Sequence, residues 1–214
     1  MLREDIDEFL KTIPEDVNVV AATKYVNASD MIDLYNHNVK IFGENRVEAF
    51  LEKYEALKDY KDIEWHFIGH LQRNKANKII DKIDCLESLD SLELASIIDK
   101  KRTKPLNCFI EVSINLEENK NGVPYMDINS FIKEVLKFKN INVCGFMMMA
   151  IKNDSDDDIT NQFNKLRELR DKVEDDFNIK LPYLSMGMSN DYKDAIKAGA
   201  THIRLGRILW NLMN

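Results

Sequence analysis

Eight short β-type runs alternate with longer amphipathic segments along the chain, and this alternation constrains the fold more than any other feature. The runs are Asn18 to Ala22, Val39 to Phe42, Glu64 to Ile68, Lys82 to Leu86, Asn107 to Ser113, Val143 to Met149, Tyr183 to Met186 and His202 to Leu205. Between them, apolar residues recur at helical spacing in Ala28 to Asn36, Val47 to Leu57, Gln72 to Ile80, Ser91 to Lys101, Ile128 to Phe138, Ile159 to Phe177 and Asp191 to Ala198. Strand followed by helix, repeated in this way, is the signature of parallel pairing through crossover helices. In 214 residues it predicts one α/β domain over residues 1–214, a (β/α)8 TIM barrel. That is the small end of the range for such barrels, which runs from about 200 to over 400 residues. An open doubly wound sheet is the alternative architecture. Only Ile208 to Asn214 follows the eighth run, with Trp210 as its large anchor, so the last outer helix is expected to be truncated. An amphipathic segment at about Glu4 to Lys11 is expected to form an extra N-terminal helix in the space this leaves.

Composition narrows the class. An apolar content of 44% with 31% charged residues, and no Pro/Gly/Ser-rich linker, fits one globular domain. The longest apolar stretch, Cys144 to Ile151, is far short of the roughly 18 residues that a membrane span needs. The acidic start Met1-Leu2-Arg3-Glu4-Asp5-Ile6-Asp7 lacks the basic flank and apolar core of a signal peptide, which predicts a cytoplasmic protein. A net charge of -7 argues against a general nucleic-acid binder. Cys85, Cys108 and Cys144 are widely spaced inside apolar segments and predict reduced core residues rather than disulfides or a metal site. No arm or second domain is evident, which points to a monomer.

In a barrel the strand C-termini share one face with the chemistry. Lys24 stands just past the run Val17 to Thr23, where its neutral amine could attack an aldehyde. A solvated strand-end lysine is the plainer reading. The segments after strands seven and eight supply Ser185, Gly187, Ser189, Arg204, Gly206 and Arg207, a set of hydroxyls, guanidinium groups and small residues suited to an anion. Ser189 could also cap the helix from Asn190 to Ala198, and an ordinary turn with an N-cap explains the same residues. A phosphate site on strands seven and eight facing a lysine on strand one describes a pocket for a phosphorylated aldehyde, and pyridoxal 5'-phosphate (PLP) has both ends.

The ordered strings Ala22-Thr23-Lys24, Phe42-Gly43-Glu44-Asn45-Arg46-Val47, Trp65 to Lys75, Asn119-Lys120-Asn121-Gly122-Val123, Gly145-Phe146-Met147, Leu184 to Ser189, and Ala198-Gly199-Ala200 through Gly206 resemble the YggS/PROSC family of PLP homeostasis proteins. These are relatives of the barrel domain of alanine racemase. The resemblance implies an alanine racemase N-terminal-domain-like barrel in which Lys24 carries PLP as a Schiff base. It also implies that Ser185, Ser189, Arg204 and Gly206 line the phosphate end and that Asn45 lies close to the cofactor. The implied role is vitamin B6 balance, with PLP-dependent apo-enzymes as possible recipients.

One departure stands out. Where the family has Ser or Thr after the strand-eight glycine, this chain has Arg207, which either supplies a charged donor to phosphate or points out of the pocket. The competing reading is a PLP-dependent racemase. Racemisation needs a second base opposite Lys24, and barrel racemases draw it from a further domain, so Tyr25, His66 or another barrel residue would have to serve here. An arginine near the pyridine nitrogen, for which Arg204 is the candidate, would also weaken the electron sink. A phosphate-sugar enzyme with a Schiff-base lysine explains none of the matched strings.

Other features have plain readings. His66 and His70, with Glu64 nearby, suggest a metal only weakly, because they straddle a strand end rather than share a helix face. Met147-Met148-Met149 reads as core filler. The acidic run Asp154 to Asp158 complements the start of a long helix, and Asn115 to Gly122 is either a lid or a turn.

Overall fold

In the computed structural model, which describes residues 2–114, 121–151 and 155–213, the alternation closes into a barrel. The strands are β1 (Asn18–Ala22), β2 (Ile41–Glu44), β3 (Glu64–Phe67), β4 (Cys85–Leu89), β5 (Leu106–Ser113), the two-residue β6 (Val123–Pro124), β7 (Ile141–Met147), β8 (Tyr183–Met188) and β9 (His202–Leu205). The sheet runs β4-β3-β2-β1-β9-β8-β7-β5-β6, and a further β4–β5 pairing closes the ring of eight, with β6 added at the edge of β5. Every pairing is parallel.

The helices are α1 (Leu2–Lys11), α2 (Ala28–Asn36), α3 (Val47–Ala56), α4 (Arg73–Ala76), α5 (Leu92–Lys101), α6 (Ile128–Val135), α7 (Asp156–Phe177), α8 (Tyr192–Lys197) and α9 (Arg207–Met213). Their apolar spacing is what seats them on the sheet. In α6 the buried residues are Ile128, Phe131, Ile132 and Val135, one face of a helix at i, i+3, i+4 and i+7. Starts are set by side chains. Asn27 and Asp30 form a reciprocal capping box on α2, Ser91 caps α5 and Ser155 caps α7.

Two boundaries differ from the sequence reading for one physical reason. β2 and β4 extend past the expected runs because Glu44, Glu87 and Ser88, polar on paper, are fully buried and partnered inside the fold. α4 is a single turn rather than a helix from Gln72 to Ile80. Beyond Ala76 the chain coils through back-bonds such as Lys78 N to Lys75 O and Lys82 N to Ile79 O. α7 begins three residues earlier than expected, because Asp156 to Asp158 join its first turn under the Ser155 cap. Asp154 and the loop residues Asn115 to Lys120 lie outside the described residues.

The core has two layers. A large outer cluster, including Phe42, Phe67, Phe146, Leu184, Leu205 and Phe163, fills the space between strands and helices. A small inner cluster of Cys85, Phe109, Cys144 and Met147 plugs part of the barrel. All three cysteines are free and buried, as expected. The truncated last helix and the extra first helix meet as expected, with α1 packed against α9 and Phe9 edge-on to Tyr192. No helix among the described residues is long and apolar enough to cross a membrane.

Ile6 is completely buried where α1 joins this seam. Ile6→Ala should therefore lower the unfolding free energy by about 2–5 kcal/mol, measurable in urea titrations as a lower midpoint with an unchanged slope.

Candidate functional site

The inner cluster fixes which residues face the barrel lumen, since alternate residues of a strand share a face. Glu87 is two residues beyond Cys85 and Glu111 two beyond Phe109, so both carboxylates point inward. Ser185 and Arg204 face Glu87 across the lumen, His66 stands beside it on the neighbouring β3, and these four groups form one connected network. Glu87 Oε1 lies 2.6 Å from His66 Nδ1, and Glu87 Oε2 accepts the Ser185 hydroxyl at 2.6 Å. Ser185 Oγ in turn accepts from Arg204 Nη1 at 2.7 Å, while Arg204 Nη2 donates to Met148 O at 2.7 Å. His66 Nε2 reaches Glu64 Oε1 at 3.0 Å.

Electrostatics follow from these partners. Burial works against ionisation of His66, yet hydrogen bonds to Glu64 and Glu87 outweigh it and raise its pKa to about 9. Burial likewise opposes the Glu87 charge, but His66, Arg204 and Ser185 hold it down at about 2. His202 lies beside this pair, its ring 6.0 Å from that of His66, and burial lowers it to about 4. Glu111, at the mouth, is pushed up to about 7 by burial and then by Asp90.

A second buried network underlies Lys24. Glu44 Oε2 accepts from Lys53 Nζ at 2.5 Å and from the Thr23 hydroxyl at 3.0 Å, and Lys53 Nζ also donates to Thr23 O at 2.6 Å. The other oxygen, Oε1, accepts from the backbone N–H groups of Asn45 and Arg46 at 2.8 and 3.3 Å. One carboxylate thereby ties the chain just before Lys24 to the turn carrying Asn45. Gly69 completes this turn from the side, since a Cβ there would lie 2.4 Å from Asn45 O.

Lys24 itself is exposed, with Nζ 4.6 Å from the centre of the Tyr25 ring. Its side chain lines a groove of about 350 Å³ with Arg46, Glu52 and Lys53. Among the described residues no hydrogen bond joins it to the β8–β9 corner. Asn45 is exposed at the end of β2. At the opposite corner Ser189 Oγ accepts from the backbone N–H groups of Gly206 and Ile208, each at 3.4 Å. Ser189 is thus engaged with α9 and does not cap α8, whose N-cap residue is Asp191. Gly187 has φ +91°, and a Cβ there would sit 2.5 Å from that of Ala195, so only glycine lets β8 turn this tightly onto α8.

The expected set is therefore divided. Ser189 and Gly206 meet at the rim. Ser185 and Arg204 lie deeper and are buried, with the Ser185 proton given to Glu87. Arg207 is exposed and its Nη2 reaches Asn190 Oδ1 at 3.3 Å, which points it along the rim. His66 and His70 turn to different carboxylates, His70 to Asp90 at 3.0 Å. With both ring nitrogens of His66 engaged far inside the barrel, it is not a base at the mouth. Lys53 and Glu111 were missed from sequence, and Glu44 and Glu87 were legible only as residues just past strand ends, without a role. The signal for them was a charged residue inside an apolar run, as in Cys85-Leu86-Glu87-Ser88-Leu89.

The fold and this lumen define a barrel of the alanine racemase N-terminal-domain class, and the sequence profile described as "Alanine racemase, N-terminal domain" matches residues 2–213. A pyridoxal phosphate homeostasis protein of Aquifex aeolicus is 41% identical over 195 residues, covering 90% of this chain and 85% of that one. PipY of Synechococcus elongatus PCC7942 superposes with a TM-score of 0.92 without PLP and 0.90 with PLP bound, at 28% and 27% identity, covering 98% of this chain and 99% of that one in each case. An alanine racemase of Clostridium difficile 630 shares the fold at a TM-score of 0.81 and 15% identity, covering 98% of this chain and 56% of the racemase. The chain belongs to the alanine racemase N-terminal-domain family and, within it, to the YggS/PROSC pyridoxal phosphate homeostasis proteins.

Removing the cation from a buried pair leaves an unpaired charge. Lys53→Met should cost about 3–5 kcal/mol, seen in urea unfolding. His66, raised from 6.5 to about 9, contributes stability that is fully present below pH 6.5 and lost as the pH climbs through 9. The unfolding free energy should fall across that interval, and His66→Gln should flatten this limb of the pH–stability curve.

Proposed function

We propose that this protein binds PLP reversibly, holds it covalently on Lys24 and serves intracellular PLP homeostasis. The observation that carries this reading is the likeness to PipY with PLP bound, which extends over 98% of this chain and 99% of that one. The residues fit the cofactor. Gly206 N and Ile208 N both aim at the place of Ser189 Oγ, at a distance long for a hydrogen bond, and would accommodate a phosphate oxygen there. Arg204, buried below this corner, would face the ring end, and Asn45 would flank it at the mouth. Ser185 would act by bridging Arg204 to Glu87, and Arg207 would bound the phosphate corner from the rim.

PLP supplies an aldehyde that condenses with a primary amine. Lys24 provides the amine, and the Glu44–Lys53 pair fixes the backbone before it through Thr23. Holding PLP this way limits the free reactive aldehyde in the cytoplasm. A guanidinium at the ring end, where an electron-sink enzyme benefits from a carboxylate, favours storage and delivery over turnover. PLP-dependent apo-enzymes are the proposed recipients, and the carrier is proposed to act as a monomer.

Lys24 is exposed and packs against little besides Tyr25, so its truncation spares the fold. Wild-type protein mixed with PLP should gain the absorbance of a bound cofactor, and borohydride followed by mass mapping should fix the adduct on Lys24. Lys24→Ala should lose the adduct while keeping its melting temperature. An adduct on another lysine, or none on folded wild-type protein, would overturn the assignment.

A further inference from the structure

Arg204 is the one guanidinium in the lumen among the described residues, and a longer chain of groups leads away from it. From the mouth inward the order is Arg204, Ser185, Glu87, His66 and Glu64, linked by contacts of 2.7, 2.6, 2.6 and 3.0 Å. Four of the five are nearly or fully buried, whereas the Glu64 side chain is 49% exposed at the first residue of β3, on the barrel face opposite the strand C-termini. The charges alternate along this line: guanidinium, carboxylate, imidazolium, carboxylate. Glu87 Oε2 is also 3.8 Å from Arg204 Nη1, so the carboxylate acts on Arg204 both directly and through the serine.

Two bonds set the direction of the Arg204 guanidinium, one to Ser185 Oγ and one to Met148 O. Ser185 accepts from arginine while giving its own proton to Glu87, so the carboxylate fixes the direction of the hydroxyl that receives Arg204. We infer that Glu87 is a positioning residue for Arg204, fixing the orientation and effective charge of the guanidinium at the ring end of the cofactor site. This rests on the PLP reading above. His66 completes the arrangement by occupying the second oxygen of Glu87 and preventing the carboxylate from rotating away from Ser185.

A purely structural role for Glu87 would change stability alone. A positioning role changes how the bound cofactor is held, and that is visible in its induced circular dichroism and absorbance maximum. The test is a PLP titration of wild type and Glu87→Gln, followed by both spectra and by borohydride trapping. Loss of a buried charge partner should weaken PLP binding about tenfold or more and alter the induced signal, with the adduct still on Lys24. Should Glu87→Gln fail to fold, Ser185→Ala decides instead, since it removes the bridge without burying an unpaired charge; it should also change the induced signal. Wild-type affinity and unchanged spectra in the folded variant would overturn this inference and leave the PLP reading standing. A wild type that binds no PLP would overturn both.

Discussion

A single buried carboxylate governs the inside of this barrel. Glu87 sits where β4 faces β8 and β9 across the lumen, and a charge there is tolerable only if hydrogen bonds and opposite charges replace the lost water. The lumen is built around that requirement. His66 takes one oxygen and Ser185 the other, and Arg204 comes close enough to balance the charge. Apolar packing is left to Cys85, Phe109, Cys144 and Met147. The barrel is thus oily between its strands and helices and saline along its axis, and the saline part leads toward the ends of β8 and β9.

The Glu44–Lys53 pair plays a comparable part at the rim. A strand-end lysine is an unremarkable residue until its backbone is held, and here the preceding carbonyl is gripped by an ammonium on α3. Three elements are thereby made into a local frame: the segment after β1 carries Lys24, β2 supplies the carboxylate and α3 its counter-ion. The β8–β9 corner repeats this logic with neutral groups, a serine on the turn after β8 and backbone N–H groups at the start of α9.

Much of the fold was legible in the sequence because the apolar periods of strand and helix differ, and the eightfold repeat leaves little freedom in how such units assemble. The outer helices at both ends, including the meeting of α1 and α9, could be read in the same way. Legibility failed where burial and hydrophobicity part company. Glu44 and Glu87 looked like polar residues past the ends of strands and are instead buried members of them, because their partners lie on elements that no local pattern connects. For the same reason Ser185 and Ser189, four residues apart and alike on paper, take different places: one deep against Glu87, the other at the rim. Arg207 could be assigned either way until the position of Asn190 was known.

The pairing of β1 with β9 has a consequence for synthesis. A chain emerging from the ribosome makes β1 before all the other strands and β9 after them, so one edge of β1 stays open until β9 appears. An open edge of parallel sheet is a template for wrong partners. Neither the packing of α1 on α9 nor the bond from Trp210 to the carbonyl of Ala22 can form before then. The nascent barrel therefore grows as an incomplete sheet until β9 has emerged to close it.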